Sequence, residues 1–140
     1  MAAATSIMRA QQIVLARVDE ALRPFELTFA RYEALVLLTF SQRGALPLGK
    51  MGERLMIHPT SVTNIVDRLE AQGLVERVGH PTDRRTTLCE ITAAGRDVVR
   101  RATEAVTAVD LGIVGLTDRE IADLTELLGK LRLGSGDFDA

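Results

Sequence analysis

An abrupt change of hydrophobic pattern at Gly73 limits the folds open to this chain. The segment before it, residues 59–72, has the apolar spacing of one helix face, carried by Val62, Ile65, Val66 and Leu69. Proline favours the first position of a helix and glycine the position after its last, so Pro59 and Gly73 mark the two ends. Beyond Gly73 the pattern becomes extended, with predicted strands over residues 74–78 and 86–91 around a turn-rich loop. The order is therefore a helix followed by a two-stranded hairpin.

Helices are predicted on both sides of this segment, over residues 6–22, 28–39, 50–56, 92–112 and 117–133. Thr28 and Thr92 are suited to N-cap two of them, and Thr117 with Glu120 forms a capping box. Gly44 and Pro47 are predicted to bracket a turn. The sequence predicts a mainly α (α+β) fold, a winged helix-turn-helix with a two-stranded wing flanked by N- and C-terminal helices.

Composition and charge exclude several classes of protein. The chain has 140 residues, of which 46% are hydrophobic and 26% charged, as in an ordinary globular domain. No apolar run approaches the roughly 20 residues that span a bilayer, and no secretory leader is recognisable. With a single cysteine, the expectation is a cytoplasmic protein with no membrane partner. The net charge is −2, but between Arg77 and Arg101 six arginines face three acidic residues, a local charge of +3.

The outward face of the helix at residues 59–72 carries short polar side chains. Thr60, Asn64 and Asp67 lie opposite the apolar face, with Ser61, Thr63 and Arg68 beside them. In a major groove, Asn64 could pair with adenine, and Arg68 could reach guanine or a phosphate. An ordinary solvated helix face has the same composition, and this helix alone does not decide between the two.

The loop of the hairpin favours nucleic acid. Arg84 and Arg85 at its tip are suited to a narrow A·T-rich minor groove, and Asp83 is expected to pair with one arginine and hold the loop in shape. The alternative is a solvated turn. Both features in one chain, in this order, favour DNA binding.

Three segments resemble a known family. Residues 58–77 read HPTSVTNIVDRLEAQGLVER and are similar to the recognition helix and first wing strand of the MarR (multiple antibiotic resistance regulator) family. Residues 83–95 resemble the wing of that family and its exit into a long dimer helix, and residues 27–35 resemble its second helix. A departure occurs at residues 48–52, where two glycines each weaken a short helix by roughly 1 kcal/mol.

The resemblance implies a homodimeric regulator of transcription, usually a repressor released by a small molecule. It places contacts to double-stranded DNA on Thr60, Ser61, Thr63, Asn64, Arg68, Arg84 and Arg85. Among these, Arg85 corresponds to the usual minor-groove residue of the family. It also implies an effector site between the dimer helices and the DNA-binding lobe, near Met8, Phe29, Tyr32 and Phe40. Plain core packing is the alternative for those four side chains.

The terminal helices are too apolar for isolated arms in water, so we expect them to pack on a second copy of the chain. The side chains expected to do so are Ile7, Val14, Val18, Ile121, Leu124, Leu128 and Leu131. The predicted division is dimerisation helices at 1–24 and 92–133, a DNA-binding lobe at 25–91 and a flexible tail at 134–140. A two-fold dimer would place its recognition helices about 34 Å apart on a pseudo-palindromic operator. Folding back onto the same chain is the alternative.

Other chemistries find no support. The sequence has no glycine-rich phosphate loop, no nucleophile elbow and no paired-carboxylate pattern, so an enzyme is not expected. His58, His80 and Cys89 lack metal-ligand spacing, so neither zinc nor a cofactor is expected, and Cys89 is predicted to be a small buried hydrophobe. The remaining alternative is a winged-helix module that binds protein in place of DNA.

Overall fold

A computed structural model describes residues 1–137. Its elements are α1 (Ala2–Leu22), α2 (Phe29–Thr39), β1 (Ala45–Pro47), α3 (Leu48–Leu55), α4 (Pro59–Ala71), β2 (Val75–Gly79), β3 (Thr87–Ile91), α5 (Ala93–Ala108) and α6 (Asp118–Gly134). Short 3-10 turns lie at Arg23–Phe25, Gln42–Gly44 and Asp110–Gly112. This order confirms the predicted mainly α winged helix-turn-helix.

The sheet has three strands, where the sequence analysis predicted two. Its order is β1-β3-β2, and both pairings are antiparallel. Cys89 on β3 lies between Leu46 of β1 and Arg77 of β2. The prediction of a turn at residues 44–47 was wrong, because three residues are too short to show a strand period and the partner strand is distant in sequence. Pro47 is compatible with an edge strand, since an edge leaves one row of backbone groups unpaired.

Side-chain caps fix the helix starts where the sequence predicted them. The hydroxyl of Thr28 accepts the amide of Arg31, and that of Thr92 accepts the amide of Gly95. Thr117 and Glu120 form a reciprocal capping box at α6. Gly73 follows α4 with φ +74°, the left-handed conformation expected of a glycine after a helix.

The helix predicted to reach Gly112 ends earlier, at Ala108. A 3-10 turn follows, in which Leu111 has φ 51° and Gly112 has φ 77°. A Cβ on Gly112 would lie 2.9 Å from the carbonyl oxygen of Val14. The turn is therefore pressed against α1, which a continued helix could not achieve.

The core is aliphatic and joins the second half of α1 to the winged helix-turn-helix. Its largest fully buried side chains are Leu22, Leu35, Leu38, Met51, Leu69, Val62, Val66, Val75, Val106 and Cys89. The hydroxyls of Tyr32 and Thr103 are 2.8 Å apart and connect α2 to α5. A Cβ on Gly95 would lie 2.2 Å from the carbonyl oxygen of Leu74, so only glycine lets α5 begin so close to the wing.

The last helix has no buried residue within its own chain. Leu124, Leu127, Leu131 and Leu133 on it are all exposed. Gly134, the first residue of the predicted tail, is the last residue of α6, and residues 138–140 of that tail lie outside the described part. No helix among the described residues is long and apolar enough to cross a membrane.

Candidate nucleic-acid interface

The whole polar face of the predicted recognition helix is exposed to solvent. Val62, Val66 and Leu69 of α4 are buried in the core. The five residues predicted to contact DNA from this helix are all exposed: Thr60, Ser61, Thr63, Asn64 and Arg68. Across residues 1–137 the side-chain amide of Asn64 has no hydrogen-bond partner. Its two N–H donors and its oxygen are therefore available to another molecule.

The two glycines of α3 have different surroundings. A Cβ on Gly52 would lie 3.2 Å from Cγ2 of Val62 and 3.3 Å from the carbonyl oxygen of Ile57. A Cβ on Gly49 would meet nothing within 4 Å. Gly52 thus allows α3 and α4 to cross closely. Gly49 has no such packing role, and its effect is only to lower the helix propensity of α3.

A histidine starts the recognition helix. Nδ1 of His58 accepts the amide N–H of Thr60 at 3.1 Å, and Pro59 occupies the first turn. The sequence analysis did not foresee this cap, because serine, threonine, asparagine and aspartate are the usual N-cap residues. The hydroxyl of Thr63 donates to the carbonyl oxygen of Pro59 at 3.2 Å, which leaves its lone pairs facing outward.

The wing loop is shaped by Asp83 and His80. Oδ1 of Asp83 accepts the backbone amide of Arg85 at 3.0 Å, and Oδ2 accepts the hydroxyl of Thr86 at 3.0 Å. These hydrogen bonds, the one from Arg85 foremost, lower the pKa of Asp83. Nδ1 of His80 accepts the amides of Thr82 and Asp83 at 3.2 and 3.1 Å.

This arrangement corrects one prediction about the wing. Asp83 holds the loop in shape, as expected, but through the backbone of Arg85 and not through a guanidinium. In the part of the chain that the structure describes, neither Arg84 nor Arg85 has a carboxylate partner, and both are exposed. Both charges are therefore available to a ligand.

An ion-pair network that the sequence analysis missed fastens the wing to α4. The guanidinium of Arg77 on β2 donates to Glu70 at 2.8 Å and also to Asp67. The backbone amide of Arg77 donates to Glu70 at 2.9 Å, and this bond is the main reason that the pKa of Glu70 is lowered. Asp67 is thus paired with Arg77, although it lies on the polar face of the helix.

The residues predicted to form a dimer divide into three groups by burial. Val18 is only 3% exposed and belongs to the core of its own chain, so it is not available to a partner. Its apolar spacing on α1 resembled that of a contact face because the core uses the same face. Val14, Ile121 and Leu128 are half-buried, whereas Ile7, Leu124 and Leu131 are exposed.

The four residues predicted to line an effector site are not brought together. Tyr32 is buried beside Phe29, with their ring centroids 6.5 Å apart. Phe40 is 86% exposed at the other end of α2, about 16 Å along the helix from Phe29. Met8 is exposed on α1. Phe29 and Phe40 share a face of α2, but the length of the helix separates them, and Met8 belongs to another helix. A single chain therefore does not bring the set together.

Only Phe29 of that set lines the apolar groove found between α1 and the turn that follows α5. The groove has a volume of about 320 Å³, and its other lining residues are Gln11, Val14, Leu15, Val18 and Leu111. Its walls are almost wholly hydrocarbon, and Gln11 is their one polar side chain.

Cys89 is fully buried on β3, which confirms the prediction of a small buried hydrophobe. Burial raises the pKa of its thiol to about 12. No group of three or more histidine, cysteine, aspartate or glutamate side chains within residues 1–137 is placed to hold a metal ion.

Comparison with known proteins identifies the family. The profile of the MarR family matches residues 30–87. The structure of Sco5413, a MarR family transcriptional regulator from Streptomyces coelicolor, is 54% identical, with a TM-score of 0.93 over 100% of this chain and 97% of that one. This chain belongs to the MarR family. The Bacillus subtilis transcriptional regulator MhqR is 31% identical over 76% of this chain and 74% of its own length.

Two further MarR-type structures were solved with ligands. Sco3205 from Streptomyces coelicolor, in complex with DNA, is 28% identical with a TM-score of 0.84 over 93% of this chain and 83% of that one. CouR from Rhodococcus jostii, bound to p-coumaroyl-CoA, is 27% identical with a TM-score of 0.79 over 96% of this chain and 92% of that one. As a MarR family member the chain is a transcriptional regulator, and these relatives are named regulators and not enzymes.

Proposed function

We propose that this MarR family regulator binds double-stranded DNA in a sequence-specific way. The observation that carries the proposal is the exposed polar face of α4, with an uncommitted Asn64, beside a wing whose two tip arginines have no carboxylate partner among the described residues. A helix of this kind fits a major groove, and arginines at a hairpin tip fit the adjacent minor groove. The DNA-bound structure of Sco3205 supports the same use of the fold.

The binding unit in this proposal is a homodimer formed through the terminal helices. Its support is that α6 buries none of its residues within the chain while exposing four leucines. Such a surface is costly in water, and a second copy of the same helices would cover it. Residues 1–24 and 92–133 would form the dimer region and residues 25–91 the DNA-binding lobe, so the operator would be a pseudo-palindrome.

The regulatory output that we propose is repression relieved by a small molecule, in the cytoplasm. The groove lined by Phe29 lies beside Leu111 and α1, the elements expected at the dimer region. Its hydrocarbon walls favour an apolar or aromatic ligand, and the CouR structure holds an aromatic acyl-CoA. A ligand there would press on the turn from α5 towards α6 and change the spacing of the two recognition helices.

Selection from a library of random DNA duplexes tests the proposal, because it requires no choice of operator sequence. The purified full chain should enrich a pseudo-palindrome whose half-sites lie about one helical turn apart. Failure to enrich any sequence would contradict sequence-specific DNA binding and would favour a protein-binding winged helix.

A further inference from the structure

A small cleft separates the beginning of α2 from the recognition helix. It has a volume of about 260 Å³, and its lining residues are Thr28, Arg31, Asn64, Ile65 and Arg68. The α4 wall therefore carries Asn64, the side chain best placed to read a base, together with Arg68. The α2 wall carries Arg31. Arg31 played no part in the predictions from sequence.

The guanidinium of Arg31 is held in place without being neutralised. Nε donates to the hydroxyl of Thr28 at 3.2 Å, and Nη1 donates to the carbonyl oxygen of Glu26 at 3.2 Å. Asp19 and Glu26 lie at a neighbouring depression, but within residues 1–137 no carboxylate is within ion-pair distance of Arg31. Arg31 is half-buried, so these two hydrogen bonds hold its guanidinium in one position at the edge of the cleft.

Arg68 supplies a second uncommitted cation. It is exposed, and across the described residues no acidic side chain pairs with it, in contrast to Arg77, whose guanidinium contacts Asp67 and Glu70. The hydroxyl of Thr28 accepts bonds from Arg31, so its own proton remains available to an acceptor. The cleft thus presents N–H and O–H donors and two positive charges.

We propose that this cleft holds a phosphate of the DNA backbone, with Arg31 as its main positioning residue. A helix in the major groove has the phosphates of the flanking strand alongside it, and guanidinium groups suit phosphate oxygens through paired N–H donors. The contact then adds to the affinity for any duplex, whatever its base sequence. The inference rests on the proposed DNA-binding function.

The test measures the dissociation constant against salt concentration, on a selected duplex and on a scrambled duplex of equal length. Each phosphate contact contributes about 0.9 to the slope of log K against log salt. For each protomer, Arg31→Gln should therefore lower the slope by about 0.9 and weaken binding about tenfold, by a similar factor on both duplexes. Arg119→Gln, which removes one positive charge from the exposed start of α6, should leave the slope unchanged.

A second variant separates phosphate binding from a purely structural role. Arg31→Lys keeps the charge but loses the two-point anchoring, and it should retain most of the slope, because a lysine ammonium also binds phosphate. Equal loss in the Gln and Lys variants would indicate that Arg31 only supports α2 and would overturn the proposal. Loss on the selected duplex alone would also overturn it, since a phosphate contact carries no base preference.

The same titration distinguishes failure of the inference from failure of the proposed function. A wild-type slope retained by Arg31→Gln, with steep and sequence-specific binding in both proteins, would remove the phosphate site and leave the DNA-binding function intact. A wild-type chain with no salt-dependent binding to either duplex would remove both.

Discussion

Arg77 and Arg85 belong to the same hairpin, but their environments differ. Arg77 is held by Asp67 and Glu70 of α4, and these partners, Asp67 first, raise the pKa of its guanidinium. Arg85 stands at the tip, where Asp83 occupies its backbone amide and leaves its side chain exposed. One arginine therefore serves the fold and the other remains for a ligand.

Arg85→Ala should weaken binding most on duplexes with A·T-rich flanks, where a narrow minor groove concentrates negative potential. The expected loss is about 1.5–3 kcal/mol, the range for hydrogen bonds to charged groups. Arg84→Ala removes the same charge one residue away and is the comparison that shows which of the two tip arginines carries the preference for A·T-rich flanks. Competition binding with A·T-flanked and G·C-flanked duplexes measures both variants. Equal loss on the two flanks would contradict a minor-groove role for Arg85.

Cys89 should be inert in the folded protein. Its thiol is fully buried with a pKa near 12, so almost none is thiolate at pH 8, and the thiolate is the reactive form. A disulfide reagent should label Cys89 only after unfolding, and hydrogen peroxide should leave the affinity for DNA unchanged. Rapid labelling of the native chain would show that the strand opens far more readily than its packing implies.

At the scale of elements, the wing and the recognition helix are joined by contacts made at the start of the hairpin. Glu70 near the end of α4 accepts both the backbone and the side chain of Arg77 on β2. The wing is thereby attached to the helix, and in the proposed complex with DNA Asn64 and Arg85 would reach the two grooves in a fixed relation.

The attachment should weaken in acid. Contacts with Arg77 lower the folded-state pKa of Glu70, so its stabilisation is complete above the ordinary glutamate value, about 4.3, and is lost as pH falls through the lowered value. Glu70→Gln should be less stable than wild type at pH 7, and this difference should shrink below about pH 4. Thermal unfolding from pH 3 to 7 measures it.

Glu20→Gln is the control for that series, since it removes an exposed carboxylate of α1 that accepts no hydrogen bond elsewhere in residues 1–137. A stability difference for Glu70→Gln that stays constant over the whole pH range would contradict a role for the ionised carboxylate.

The sequence predicted those parts of the interface that depend on local pattern. The apolar face of α4, the threonine caps and Gly73 follow rules that act within a few residues. The strand β1, the cap by His58 and the Arg77 network were missed, because they depend on partners distant in sequence or on a residue outside the usual cap set. A single chain does not gather the four effector residues, because apolar character alone does not tell how far apart two side chains lie.

At the scale of the whole molecule, the chain is well packed at its DNA-binding lobe and open at its ends. The second half of α1 enters the core through Val18 and Leu22, but no residue of α6 is fully buried. A single copy therefore leaves a helix without a packing partner, which is the physical basis for the proposed homodimer.

Leu131→Glu should convert the dimer to monomer at micromolar concentration. A leucine buried at an interface contributes about 1.5–3 kcal/mol to the free energy of association, and it occurs twice in a two-fold dimer. A carboxylate in its place adds a desolvation cost. Ala122→Glu, on the opposite side of α6, introduces the same charge and should stay dimeric. Sedimentation velocity measures the mass of each. A Leu131→Glu protein that remains dimeric would contradict an interface on this face of the helix.

The most direct test of sequence-specific recognition by α4 compares wild type with Asn64→Ala. Fluorescence anisotropy would record both on the selected duplex and on a scrambled duplex at stepped salt. We expect steep salt dependence for both proteins, a preference of wild type for the selected duplex, and a loss of roughly 1–3 kcal/mol for Asn64→Ala on that duplex alone. Equal affinity of wild type for the two duplexes, or equal loss by the variant on both, would contradict base reading by this helix.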